Sequence, residues 1–166
     1  MSINMMALAT TFVAATAVAA AQTPAADFAM KAARGGHAEV MLGKLALGIS
    51  TNAALKAAAK KIELDHASAS EELRKMAAAK HWMLPAEADL GTDGSNALNY
   101  LKTLKGAAFD TAWIDHMIDD HQKDVVMYTA ETKCPDADVR AFAERTLPLI
   151  QSHLDMVRRL KDMQPN

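Results

Sequence analysis

Four residues of the kinds that bind transition metals lie far apart in the sequence, each within a stretch of helical periodicity: Glu39, His66, His121 and His153. The other inward positions of each stretch are almost all apolar, so the four side chains are predicted to be buried. Burying a carboxylate or an unpaired imidazole costs several kcal/mol unless a partner satisfies it. Three imidazoles and a carboxylate can bind zinc, and they also suit iron, copper, nickel or cobalt. The sequence therefore predicts one shared divalent transition-metal ion or, alternatively, a self-satisfied hydrogen-bond network.

An aspartate directly precedes two of these histidines, giving the pairs Asp65-His66 and Asp120-His121. Neighbouring side chains on a helix point about 100° apart, so neither aspartate can easily orient its own histidine. Each can instead reach a metal ligand or a backbone group on an adjacent helix, where a carboxylate supports a metal site. An ordinary surface ion pair is the other interpretation.

A third acidic residue, Glu63, stands three residues before His66, which is the Glu-x-x-His spacing of di-iron bundles. A di-iron centre needs that motif twice, together with two further carboxylates. Ile118 and Ile150 occupy the equivalent positions before the other two histidines. The sequence thus disfavours a di-iron site and leaves Glu63 as a predicted neighbour of a mononuclear one.

Four long helices are predicted to position these residues, at about 26–49, 53–80, 107–133 and 136–163. Their apolar positions advance in alternating steps of four and three residues, as in packed helices. In the last helix Pro148 is expected to cause a bend or a break. The inward positions predicted there are Val139, Phe142, Thr146, Leu149, His153, Met156 and Leu160.

The link between the second and third long helices is unusually long, and we expect it to cross over the bundle. Glycine, proline and asparagine predict loop structure up to residue 96, and a short helix is expected at 97–104. The predicted fold class is accordingly all-α, a ferritin-like four-helix bundle with a long crossover between helices 2 and 3.

Residues 1–21 are predicted to be a secretory signal peptide, and 22–166 a single domain. The leader is small and apolar and ends in Val18-Ala19-Ala20-Ala21, although it lacks a basic residue. We expect an exported protein, periplasmic or associated with the outer membrane, without a transmembrane span in the mature chain. The net charge of −2 argues against nucleic acid as a partner. Cys134 is the only cysteine, which leaves a homodimer possible and an intramolecular disulfide impossible.

The order of short motifs resembles a bacterial family known as domain of unknown function 4142. The resemblance covers about residues 27–160, and it rests on Ala33–Ala46, Asp65-His66 with Glu72-Leu73, Phe109-Asp110, Asp120-His121, Thr146-Leu147-Pro148 and His153-Leu154. It implies an exported ferritin-like helical bundle and no established reaction. The four candidate ligands all fall within or beside these motifs.

Three functions are compatible with these residues. The first is an exported protein that binds one divalent metal ion, with a role in metal handling or stress protection. The second is a metal-dependent oxidoreductase that uses iron, manganese or copper for peroxide or oxygen chemistry. The third is a non-catalytic envelope protein whose polar core only fixes the packing of its helices.

Overall fold

The computed structural model describes residues 23–164, and these residues form five helices and no strand. The helices are α1 (Pro24–Ile49), α2 (Ala53–Ala79), α3 (Gly91–Leu101), α4 (Gly106–Glu131) and α5 (Ala137–Asp162). The all-α prediction is confirmed, and the four long helices end within two residues of their predicted bounds.

Local sequence signals account for where three of the long helices begin. Thr23 accepts a hydrogen bond from the backbone N–H of Ala26, and proline occupies the first turn of α1. Asn52 and Asp136 cap α2 and α5 in the same way, each accepting from two backbone N–H groups. Each cap satisfies donors that the first turn of a helix leaves unpaired.

The helices form two antiparallel hairpins, α1 with α2 and α4 with α5, which pack together chiefly through α2 and α5. At the end of α2, Lys80 pairs with Asp136 at the start of α5, with 2.8 Å between Nζ and Oδ2. The C-terminus of α2 therefore lies at the opposite end of the molecule from the start of α4. The link between them crosses the length of the structure as predicted, and its helix α3 packs on α1 and also contacts α4.

The short helix in this link differs from the prediction, because α3 begins at Gly91 rather than residue 97 and ends at Leu101. Asp89 accepts a hydrogen bond from the backbone N–H of Gly91, whose φ of 67° turns the chain into the helix. Gly94 lies so close to α1 that an added Cβ would stand 2.6 Å from Cβ of Ala38. The glycines interpreted as loop residues thus serve a turn and a close helix contact.

Helix α5 excludes a break at Pro148 and corrects one predicted inward position. The helix continues through Pro148 without a break. Ile150 is fully buried whereas Leu149 is 41% exposed, so the predicted inward position is shifted by one residue. Both side chains are apolar, so the hydrophobic pattern alone does not distinguish the two registers.

Two hydrophobic clusters fill the interior, one toward each end. One contains Leu42, Leu55, Phe109, Trp113 and Val157, from the end of α1, the start of α2, the start of α4 and the end of α5. The other contains Phe28, Leu73, Tyr128, Val139 and Phe142, from the opposite ends of the same helices. A layer of polar residues occupies the middle of the core between them.

The predicted signal peptide falls outside the described residues. Among the helices of residues 23–164, none combines the length and the apolar character that a membrane span requires.

Candidate metal centre

The polar layer consists of the four candidate ligands, one from each long helix. Glu39 and His121 are fully buried, His153 is 1% exposed and His66 is 5% exposed. Helix α1 can approach α2 here because Gly43 has no side chain, and a Cβ there would lie 3.0 Å from the carbonyl oxygen of Ala59. Helix packing therefore brings together residues that are up to 114 positions apart in the sequence (153 − 39). We call this set the His/Glu cluster.

The carboxylate of Glu39 lies between two imidazoles. Its Oε2 is 2.8 Å from Nδ1 of His66, and its Oε1 is 3.3 Å from Nδ1 of His121. His121 Nδ1 also donates a hydrogen bond to the backbone carbonyl of Met117 at 2.9 Å, which places the proton of the neutral ring on Nδ1. Neither carboxylate oxygen gains a hydrogen bond of good geometry from these contacts.

The third imidazole is held by a different carboxylate. His153 Nε2 lies 2.7 Å from Oδ2 of Asp65, and the same oxygen accepts from Nζ of Lys61 at 2.8 Å. Burial by itself raises the pKa of Asp65, but the hydrogen bonds from Lys61 and His153 outweigh it and lower that pKa. Asp65 thus stays ionised and reaches across from α2 to α5.

The second nitrogen of each imidazole, which does not face Glu39 or Asp65, has no hydrogen-bond partner among the described residues. Among the described residues, His66 Nε2, His121 Nε2 and His153 Nδ1 are buried and make no hydrogen bond. The ring centroids are 5.4–5.7 Å apart, and one ring nitrogen from each histidine lies within 4.8 Å of the other two. Nitrogens bound to one tetrahedral zinc are about 3.3 Å apart, so a small inward movement of the rings suits a metal. The three imidazoles could together hold a metal ion.

Desolvation controls the charge of the His/Glu cluster. Burial lowers the pKa of His66, His121 and His153 to about 4, so all three imidazoles are neutral at pH 7. Burial raises the pKa of Glu39 to about 8, with the charge of His121 opposing the shift and that of Asp120 adding to it. Neutral imidazoles are the form that binds metals.

The comparisons with known proteins place the chain in a family. The family model described as Domain of unknown function (DUF4142) matches residues 10–160. The chain belongs to the DUF4142 family. A solved structure, the crystal structure of a DUF305 fragment from Deinococcus radiodurans, matches with a TM-score of 0.71 at 16% sequence identity. That match covers 84% of this chain and 96% of the fragment, and it shows a shared fold. No curated protein matches the sequence.

Membership of the DUF4142 family confirms the resemblance seen in the sequence. Asp120 lies close enough for its charge to act on His66 and Glu39, yet it makes no hydrogen bond to the His/Glu cluster among residues 23–164. Glu63 pairs instead with Lys60 on its own helix, with 2.8 Å between Oε2 and Nζ. Of the three predicted supporting residues, Asp65 therefore contacts the cluster directly and Asp120 lies beside it. Glu63 forms an ion pair with Lys60 instead.

Sequence reasoning missed a further acidic residue, Asp124. Burial raises its pKa well above the ordinary value, and the charges of Glu39 and Asp120 raise it further. It follows Asp120 by four residues and so lies on the same face of α4, a spacing that could have drawn attention to it. The carboxyl groups of Asp120 and Asp124 thus lie on the α4 side of the His/Glu cluster.

Asp65→Asn is expected to weaken metal binding by about 10–100-fold, because it removes the charge that orients His153. Thermal stability without metal should change little. Competition with a chelator of known affinity measures the effect. The matched control is Asp119→Asn, which breaks a similar aspartate–lysine pair with Lys123 on the α4 surface (2.7 Å). Equal affinity in the two variants would contradict a supporting role for Asp65.

Proposed function

We propose that the protein binds one divalent transition-metal ion through His66, His121 and His153, and that it acts in metal handling or protection against stress in the cell envelope. The observation that carries this proposal is that the two nitrogens of each imidazole have different surroundings. One nitrogen of each imidazole contacts a carboxylate, while the other is buried without a partner. Metal-binding histidines in proteins have this arrangement, in which a carboxylate fixes the tautomer and orientation of the ring.

The alternative of a self-satisfied polar core is less compatible with the same contacts. A core that only fixes helix packing would pair its buried donors and acceptors, because each unpaired group costs about 1–3 kcal/mol. Three ring nitrogens and both oxygens of Glu39 lack a hydrogen bond of good geometry within the described chain. A bound cation would offset this cost by using the nitrogen lone pairs and by favouring the ionised form of Glu39.

In this proposal Glu39 holds the Nδ1 sides of His66 and His121 and supplies negative charge to the site. Its coordination of the metal through an oxygen stays a prediction, since the carboxylate lies against Nδ1 of both rings. Three imidazoles leave at least one coordination position of the ion for water or another small ligand. Metal storage, transfer and chemistry on such a ligand all begin with this binding step.

The test is a metal titration of protein freed of metal by a chelator. We expect one Zn²⁺ per chain by calorimetry and by elemental analysis after dialysis. Titration with Co²⁺ should give the intense visible bands of a four- or five-coordinate ion rather than the weak bands of an octahedral one. Retention of less than stoichiometric metal by the folded protein, for Zn²⁺, Co²⁺, Cu²⁺ and Fe²⁺ alike, would overturn the proposal.

Export is the second part of the proposal, and the apolar leader ending in Val18-Ala19-Ala20-Ala21 supports it. Mass spectrometry of the protein purified from the cell envelope of its own host should find a mature chain that begins at Gln22. An intact chain recovered from the cytosol would contradict this part and leave the metal site unaffected.

A further inference from the structure

A cavity lies on the opposite side of α1 from the His/Glu cluster. It has a volume of about 680 Å³, between α1, α2, the crossover segment 84–90 and α3. Its apolar wall includes Val40, Met41, Leu84, Leu90 and Leu98. We call it the crossover cavity. Its volume falls in the range of small-molecule sites, about 300–1,000 Å³, and a mostly apolar wall is typical of such sites.

Two polar groups on one face of α1 line the crossover cavity, and within residues 23–164 neither makes a hydrogen bond or an ion pair, although the charge of His37 acts on Asp89. His37 and Lys44 are seven residues apart and therefore share a face of the helix. His37 Nδ1 is buried and makes no hydrogen bond within residues 23–164. Lys44 makes no ion pair in the same part of the chain. Its side chain can extend along the helix toward His37.

The other charged residues of the cavity are Arg74, Glu71 and Glu87, which together carry a net charge of −1. Arg74 donates two hydrogen bonds to Glu71, at 2.8 and 2.7 Å, and the charge of Glu87 also acts on Arg74. Lys44 is consequently the cation of the cavity that lacks an acidic partner among the described residues. The apolar wall and the unpaired ammonium group together favour a ligand with an apolar chain and a negative head group.

We propose that the crossover cavity binds a small anionic amphiphile of the medium-chain carboxylate class. The alkyl chain packs against Met41, Leu84 and Leu90, and the carboxylate accepts hydrogen bonds from Lys44 and from His37. The charge-assisted bond to Lys44 supplies most of the selectivity for an anion. Burial of the chain supplies most of the affinity, since each buried methylene raises the affinity about fourfold.

The test is calorimetric titration of the full chain with decanoate and with decanamide, which has the same alkyl chain and no charge. We expect one decanoate per chain and binding of decanamide that is about tenfold weaker, because the charge-assisted hydrogen bond is lost. Absence of decanoate binding, or equal affinities for the two compounds, would overturn the proposal.

Two pairs of variants locate the binding. Ala67 lies at the surface and lines the cavity, so Ala67→Trp should fill it and abolish decanoate binding. Ala57→Trp, on an exposed site of α2 outside the cavity, should leave binding unchanged. Lys44→Gln should weaken binding about tenfold, whereas Lys102→Gln should not. Full binding by Ala67→Trp, checked as folded by circular dichroism, would place the ligand elsewhere and refute the assignment.

Discussion

His121→Ala is expected to abolish stoichiometric metal binding. His121 is fully buried at the centre of the His/Glu cluster, and its Nε2 is one of the three unpaired ring nitrogens. Without this imidazole, two histidines on α2 and α5 remain, which is fewer than the three protein ligands that zinc usually has in an open site. Elemental analysis after loading with Zn²⁺ and dialysis should find one ion per parent chain and none above background in the variant.

The same loss should appear in thermal stability. Zn²⁺ at about 100 times its dissociation constant stabilises the parent by about 2.7 kcal/mol, which corresponds to about 10 °C in Tm for a domain of this size. The Tm of His121→Ala should not respond to Zn²⁺. His121→Gln, which leaves a smaller cavity, should behave identically and so separates ligand loss from damage to the core.

The control for both readouts is His116→Ala. His116 is on the same helix, five residues earlier, and lines a surface groove between α1, α3 and α4. This variant should retain one Zn²⁺ per chain and the full increase in Tm. Unchanged metal occupancy in His121→Ala would refute the assigned ligand set.

The second large effect concerns pH and the metal-free protein. Burial raises the pKa of Glu39 from 4.5 to about 8, so the folded state keeps this carboxyl protonated while the unfolded state ionises. The free energy of unfolding therefore decreases as the pH rises from 4.5 through 8. A buried carboxyl of this kind destabilises the metal-free fold most strongly at alkaline pH.

Glu39→Gln isolates this contribution, because glutamine has a similar shape and does not titrate. At pH 4.5 the variant and the parent should have similar stability, whereas at pH 8 the variant should be relatively more stable by about 4 kcal/mol. Urea unfolding of both proteins in the presence of a chelator measures the free energy of unfolding at each pH. Taking the difference cancels the titration of the groups that Glu39 does not influence, whereas the response of His121, Asp120 and Asp124, which are coupled to Glu39, remains in it.

Glu144→Gln provides the matched control on an exposed site of α5, and its difference from the parent should stay flat with pH. A flat difference for Glu39→Gln as well would show that Glu39 is ionised in the folded, metal-free protein. Saturating Zn²⁺ should reduce the pH dependence of the parent, since a nearby cation favours the carboxylate.

Much of the fold could be predicted from the sequence because its signals are local. The spacing of apolar residues defined four long helices, and Asn52 caps α2 in the short link between the first two predicted helices. Prediction from local signals failed where one sequence pattern was compatible with two structures. Leu149 and Ile150 are both apolar, and Gly91 and Gly94 are common in loops, so only packing against neighbouring helices resolved α5 and α3.

The sequence by itself determined which residues would be buried at the centre, since Glu39, His66, His121 and His153 interrupt four apolar faces at similar depth. Only the tertiary structure decided which nitrogen meets which carboxylate: Glu39 lies on Nδ1 of two rings, and Asp65 reaches His153, 88 residues away. The physical reason is that periodicity fixes the direction of a side chain around its own helix. The axial shift and rotation of one helix against another come from the packing of the whole core.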